Sequence, residues 1–313
     1  MRCWQRMPRP SVAKTVAQSA GSGGAKPGAG SDLLRVALLQ LTVSDDPAEN
    51  LPVTLDLIAK AAAEGATLIA TPEATNLLSP SRDWQREALR PEAEDPTLAA
   101  LRDAARQHGL WLLIGSLALR DDDPEGDGRF ANRSFLIAPD GGIAARYDKI
   151  HMFDVTISDT ESYRESAAYR PGAQAVLAEG PGPIGMTVCY DLRFPQLFRR
   201  LAQAGARILT VPAAFNSTTG AAHWHVLLRA RAIETGCFIL APAQCGTHPA
   251  PHSPDRHPRQ SYGHSLIVDP WGEVLADGET TQGLVIAELD LGAVERARSR
   301  IPSLTHDRDY CGP

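Results

Sequence analysis

The chain lacks the features that would mark a secreted, membrane-spanning or nucleic-acid-binding protein. Its five cysteines, at positions 3, 189, 237, 245 and 311, form an odd set with no C-x-x-C pair, which argues against both a disulfide framework and a cysteine-based zinc site. A reducing cytoplasm fits that usage. No apolar run approaches the roughly 20 residues that a bilayer demands. The longest, such as "GLWLLIGSLAL", are strand-sized and interrupted by Gly115 and Ser116. The formal net charge is -6, and basic residues gather no further than pairs such as Arg199 and Arg200, so there is no nucleic-acid footprint. Together these absences predict a small-molecule partner, with no membrane and no nucleic acid.

Acidic residues are missing before Asp32. The stretch "MRCWQRMPRPSVAKTVAQSAGSGGAKPGAGSD", residues 1–32, is basic at its start and Gly/Ser/Ala/Pro-rich at its end, the composition of a disordered leader. A transit peptide, mitochondrial for instance, is the alternative reading of the same composition. Residues 33–313 then read as a single domain.

What remains is ordinary globular material, 43% hydrophobic and 22% charged, in which short apolar runs alternate with amphipathic segments. "RVALLQL" reads as a first strand. Leu51, Leu55, Ile58 and Ala62 then recur at helical spacing, with Gly65 as the stop. Further strands are expected in "ATLIATPE", "LWLLIGSLAL", "RSFLIAP", "GIAARYDK", "QAVLA", "IGMTVC", "RILTVP", "CFILAPA", "GHSLIVDP" and "LVIAELD", and helices at residues 96–108, 195–204 and 222–236. That is too many strands for one doubly wound sheet. Several consecutive strands without helices between them predict an α/β fold of two sheets packed face to face, with helices outside.

Three reactive side chains each follow an apolar strand directly, where the strand-end loops of α/β proteins build their sites: Glu73 after "TLIATP", Lys149 after "ARYD" and Cys189 after "GMTV". Singly, each has a plainer reading: a helix-start carboxylate, a solvated charge, a small core residue. Together, with "VALLQ", "TPEA", "RYDKIHMFD", "ESAAYRPG", "CYDLRFP", "HWHVLLRARAIE" and "SYGHSLIVDPWGEVLA" in this order, they make a chain that resembles the nitrilase superfamily of carbon–nitrogen hydrolases over nearly all of residues 34–310.

The resemblance implies a four-layer α-β-β-α sandwich and a Glu-Lys-Cys triad: Cys189 as nucleophile, Glu73 as its base, and Lys149 with the backbone N–H of Tyr190 as donors to the oxyanion. It implies that Glu165 is an additional active-site glutamate that orients Lys149 and the substrate, with Glu161 a nearby competitor for that place. It implies hydrolysis of an amide by way of a thioester, with release of ammonia, no cofactor, no metal, and a homo-oligomer.

A Cys-His-Asp arrangement is the competing mechanism, with His223, His225 and His264 as candidates, but "VCYD" lacks the glycines of a nucleophile elbow. His248, His252 and His257 sit in a Pro-rich segment at irregular spacing and read as a mobile surface loop, not a metal site. "CYDLRFP" and "SYGHSLIVDPWG" look most like the Nit branch, which includes deaminated glutathione amidase and omega-amidase; "APAQCGTH" with "RQSYGHS" leans toward the former. His225 departs from the acid that many Nit-type sequences carry at that place. Arg193 and the loop "AAFNSTTG", with Phe215 and Asn216, are candidates for holding a substrate carboxylate, Arg193 being alternatively an ion-pair partner of Asp191. A nitrile or N-carbamoyl substrate is the enzymatic alternative, and a non-catalytic binding protein is the outsider.

Overall fold

The computed structural model describes residues 13–15, 33–121, 127–159 and 161–312. Two sheets face each other. One has six strands in the order Gly283–Asp290, Leu33–Gln40, Leu68–Ala70, Trp111–Leu119, Ala131–Ile137 and Ile143–Asp148. The other has seven, Ala13–Thr15, Val176–Glu179, Pro183–Met186, Ile208–Thr210, Phe238–Ala241, Leu266–Val268 and Val274–Asp277.

Strand periodicity creates the layers, because successive side chains leave a strand on opposite faces. Val36 and Leu38 join a cluster with Met186, Ile208 and Leu209 of the second sheet, whereas Ala37 and Leu39 join Leu57, Ile58 and Leu101 of the helices Pro47–Ala63 and Pro96–His108. Leu68 and Ala70 point inward and Ile69 outward; Leu113 and Leu136 divide from Leu112, Ile114, Phe135 and Ile137 in the same way. On the far side, Phe198 and Leu201 of Pro195–Gln203, Trp224 and Leu228 of Ser217–Thr235, and Val294 of Gly292–Arg300 cover the second sheet. The order is helix, sheet, sheet, helix, the sandwich expected. Among the described residues no helix is long and apolar enough to cross a membrane.

Helix ends follow local chemistry. Asp95 accepts from the Leu98 N–H at 2.7 Å, Pro96 starts the helix, and Gly109 ends it at φ +63°. The helix expected at 222–236 begins earlier, at Ser217, because Asn216 caps it through the Thr219 N–H at 3.1 Å.

The structure adds elements that carry little periodic signal: the helix Arg82–Ala88, the hairpin of Asp154–Ser158 with Glu161–Arg164, and the pair Cys245–Thr247 with Gln260–Tyr262. The turn at "WGEV" leads into the strand Val274–Asp277. Within residues 1–32, Ala13–Thr15 lies parallel to Val176–Ala178 as an edge strand, where Val176–Glu179 offers unpaired backbone groups. Residues 1–12 and 16–32 of the expected leader, and residues 122–126, lie outside the described residues.

Candidate active site

Glu73, Lys149 and Cys189 follow strands of both sheets, and the loops after those strands bring them together. The Glu73 segment is clamped from the neighbouring strand Trp111–Leu119: the Ala74 N–H donates to Ser116 Oγ at 2.9 Å, and the Thr75 N–H to the Ser116 carbonyl at 2.9 Å. Gln244 Nε2 donates to the Glu73 carbonyl at 3.0 Å. The loop after Ile208–Thr210 serves two catalytic candidates at once. Its Pro212 carbonyl accepts from the Cys189 N–H at 2.9 Å, and its Ala214 N–H donates to Glu73 Oε2 at 2.8 Å.

Asp191, fully buried, joins the cysteine loop to the lysine loop. Its carboxylate accepts from the Val188 N–H at 2.8 Å, from Tyr147 Oη at 2.6 Å and from the His151 N–H at 3.0 Å. The crowding of Tyr190, Asp191 and Arg193 behind Cys189 thus has one structural member, Asp191, which ties the segments on either side of the site. Cys189 itself holds φ +49° and Ala74, next to Glu73, holds φ +58°, both in the left-handed region that favours glycine.

The charged groups are buried and close. Lys149 Nζ donates to Glu73 Oε1 at 2.9 Å and to Glu165 Oε2 at 2.8 Å, with its side chain only 2% exposed. Glu165 Oε2 also accepts from the Phe153 N–H at 2.6 Å. Glu161 lies elsewhere, accepting from Tyr163 Oη and Asn216 Nδ2, so Glu165 is the glutamate at the lysine. Asn132, which the sequence did not single out, donates through Nδ2 to Glu73 Oε1 at 2.9 Å and to Glu165 Oε1 at 3.2 Å.

Burial would raise the Glu73 pKa, but the Lys149 charge and hydrogen bonds from Lys149, Cys189 and Ala214 bring it down to about 2. Burial and the Glu73 carboxylate push the Cys189 thiol well above its ordinary range, against the pull of Lys149. Burial opposes the Lys149 charge, yet Glu165 and Glu73 outweigh it and raise that pKa. These directions favour a neutral Cys189 thiol in the field of the Glu73 carboxylate and the Lys149 ammonium. Among the described residues no backbone carbonyl or side chain accepts the Tyr190 N–H, which leaves that donor available.

These groups line a cavity of about 270 Å³ whose walls include Leu77, Phe153, Tyr169, Tyr190 and Phe215, with Asn216 at its side. Arg193 is not among its lining residues. Its guanidinium stands over the rings of Tyr190 and Phe215 at 5.8 and 5.4 Å and donates to His223 Nδ1 at 3.3 Å, and it makes no bond to Asp191. Neither reading of Arg193 fits this placement: aromatic rings intervene on the cavity side, and Asp191 is already taken by other donors. Among the described residues no histidine lines the cavity, which removes the geometry a Cys-His-Asp arrangement needs.

The histidines act elsewhere. His248 is buried and bonds the Val43 carbonyl at 2.8 Å and Ser261 Oγ at 2.9 Å, and His252 stacks on Trp84. His225, His264 and Asp277 gather ligand atoms within 4.8 Å of one another, a set of the right chemistry for a metal, and Asp277 Oδ2 lies 3.1 Å from both imidazoles. Those contacts are complete hydrogen bonds without an ion. His225, where many Nit-type sequences carry an acid, is thus paired with the Asp277 carboxylate.

The carbon–nitrogen hydrolase family model matches residues 35–299. A deaminated glutathione amidase of Bos taurus is 40% identical over 280 residues, 89% of this chain and 83% of that protein. One of Yersinia enterocolitica is 39% identical over 275 residues, 87% of this chain and 92% of that protein. Among solved structures, the C. elegans NitFhit protein superposes with a TM-score of 0.79 at 34% identity, covering 88% of this chain and 65% of that one. Saccharomyces cerevisiae Nit3, of the nitrilase superfamily, gives 0.76 at 29% identity over 89% of this chain and 97% of its own. Fold, family match and relatives together establish that the chain belongs to the carbon–nitrogen hydrolase family.

Proposed function

We propose that the protein is an amidase in which Cys189 is the nucleophile, Glu73 the proton carrier, Lys149 and the Tyr190 N–H the oxyanion donors, and Glu165 the positioning residue of Lys149. The observation that carries this reading is the convergence of Cys189, Glu73 and Lys149 on one cavity, with the Lys149 ammonium bonded to the Glu73 carboxylate at 2.9 Å. With the carboxylate pKa low and the thiol pKa high, proton transfer before the sulfur attacks is uphill. The proton therefore moves to Glu73 only as the sulfur bonds to the substrate carbonyl and the C=O electron pair moves onto oxygen, next to Lys149.

Collapse of that tetrahedral species re-forms the C=O bond, breaks the C–N bond, and sends the Glu73 proton to the departing nitrogen. A thioester on Cys189 remains. Water then gives a proton to Glu73 while its oxygen attacks the thioester carbon. Collapse breaks the C–S bond, and Glu73 returns the proton to sulfur. Each half uses the same carboxylate once as base and once as acid.

The relatives' names support deaminated glutathione as substrate, and Arg82, Arg164 and Arg259 on the cavity support an anionic amide. Deaminated glutathione has no primary amide, so its departing group is the amine of cysteinylglycine, whereas a primary amide, a nitrile or an N-carbamoyl group would release ammonia. The two must be measured separately. Purified protein given deaminated glutathione, 2-oxoglutaramate, an N-carbamoyl amino acid and a nitrile is expected to release cysteinylglycine from the first at the highest kcat/KM. Faster turnover of another substrate would reassign the specificity, and no turnover of any would favour a binding protein.

The four described cysteines are all free, which supports a reducing compartment such as the cytoplasm. Val226 and Ile233, 67% and 54% exposed on one helix, support a homo-oligomer that covers them, and sedimentation as a monomer would refute it.

A further inference from the structure

We infer that Arg259 forms a carboxylate-binding subsite of the cavity, and that the substrate is an amide carrying a carboxylate held by this guanidinium. The inference rests on the amidase reading and adds the group that selects the substrate. Arg259 comes from the segment after His248 that the sequence presents as a surface loop, yet it lines the cavity with Cys189, Glu73 and Lys149. Its Nη2 donates to the Ala214 carbonyl at 2.5 Å, and its guanidinium carbon stands 5.8 Å from the centroid of the Tyr163 ring.

Those two contacts leave it underused. Nε is buried with no partner, and among the described residues no carboxylate forms an ion pair with it. A buried N–H donor without a partner is rare, because leaving it unmade costs free energy comparable to a lost hydrogen bond. A guanidinium that lines a partly enclosed cavity without a counter-charge has the chemistry that a carboxylate completes through its Nη hydrogens. The three other cationic groups on the cavity fit poorly with that role. Lys149 is already paired with Glu73 and Glu165, whereas Arg82 and Arg164 are exposed and their charges are screened by water.

The carboxylate can belong to the acyl part, which stays on Cys189, or to the departing amine, and the two products distinguish these. Cys189→Ala protein is titrated by calorimetry with glutarate, with cysteinylglycine and with neutral pentanamide, alone and with Arg259→Gln or Arg259→Lys added. At least one anion is expected to lose tenfold or more in affinity with Arg259→Gln and less with Arg259→Lys, while pentanamide is unaffected. The anion that responds names the end recognised. Failure of Cys189→Ala protein to bind either anion, unchanged affinities, or equal losses for all three ligands would overturn the subsite.

Because binding needs no turnover, this result stands apart from the amidase reading, which fails only if the parent protein hydrolyses no amide. Arg259 also holds the loop that holds Glu73, so the melting temperature of each variant is read alongside. If Arg259→Gln does not fold, Arg259→Lys decides, since a lysine keeps the charge but not the Nε–H geometry: a loss for an anion with none for pentanamide supports the subsite, and no such difference overturns it.

Discussion

Asn132 stands between two carboxylates that would otherwise repel each other. Its one amide nitrogen donates to both Glu73 and Glu165, so the pair is bridged from one side by Asn132 and from the other by Lys149. Hydrogen bonds to charged groups contribute about 1.5–3 kcal/mol each. Asn132→Leu is therefore expected to lower kcat about 10- to 100-fold with KM little changed, and Asn132→Asp, which adds a third acid, to lower it further; steady-state kinetics on any hydrolysed amide checks this, and an unchanged kcat would contradict it. Glu73, Lys149 and Cys189 were legible in the sequence because each ends a recognisable strand. Asn132 was not, since one amide within "FANRSFLI" looks like any polar residue of a strand until the fold shows what it faces. Arg193 misled for the opposite reason. It is adjacent in sequence to the nucleophile, but the turn at Cys189–Arg193 carries it behind Tyr190 and Phe215.

At the scale of elements, the strand Trp111–Leu119 does more than its apolar pattern announces. Gly115 looks like an interruption, but it is where three backbones meet. A Cβ there would lie 1.9 Å from the Thr71 carbonyl oxygen, 2.4 Å from Pro212 Cβ and 2.8 Å from the Pro72 carbonyl oxygen. The segments it would displace carry Glu73 and the Pro212 carbonyl that accepts from Cys189. Gly115→Ala is expected to cost about 1–3 kcal/mol in stability, as overpacking does, and to reduce kcat far more than any surface glycine substitution. Retention of parental activity and melting temperature would show that the close approach is not needed. Long strands and capped helices were legible because alternation, Asp-Pro starts and Gly stops are local signals. The hairpin Asp154–Ser158 with Glu161–Arg164 was not, because its residues alternate only between half-buried and exposed, and no apolar run marks it.

For the whole molecule, two buried groups set the response to acid. Burial, against the hydrogen bond to Val43, lowers the His248 pKa from 6.5 to about 4. Below pH 6.5 the unfolded chain takes up a proton that folded His248 refuses, so stability falls as pH drops from 6.5 to about 4. Glu73, ordinarily 4.5 and about 2 when folded, contributes stability that is complete above pH 4.5 and is lost toward pH 2. Denaturant melts from pH 7 to 3 are expected to decline through both windows in turn, with His248→Gln removing the first, and a curve flat between 6.5 and 4 would contradict the buried neutral imidazole. The sandwich was legible as a whole because its two sheets alternate so regularly, while the edge strand Ala13–Thr15 was hidden in a composition that signals disorder. The account turns on a covalent intermediate at one sulfur. Its most direct test is the intact-protein mass after millisecond quenching with a hydrolysed amide. The account predicts a mass increase equal to the acyl group, located on the Cys189 peptide, released by hydroxylamine and absent from Cys189→Ala. Turnover by Cys189→Ala, or an acyl group found on any other residue, would contradict it.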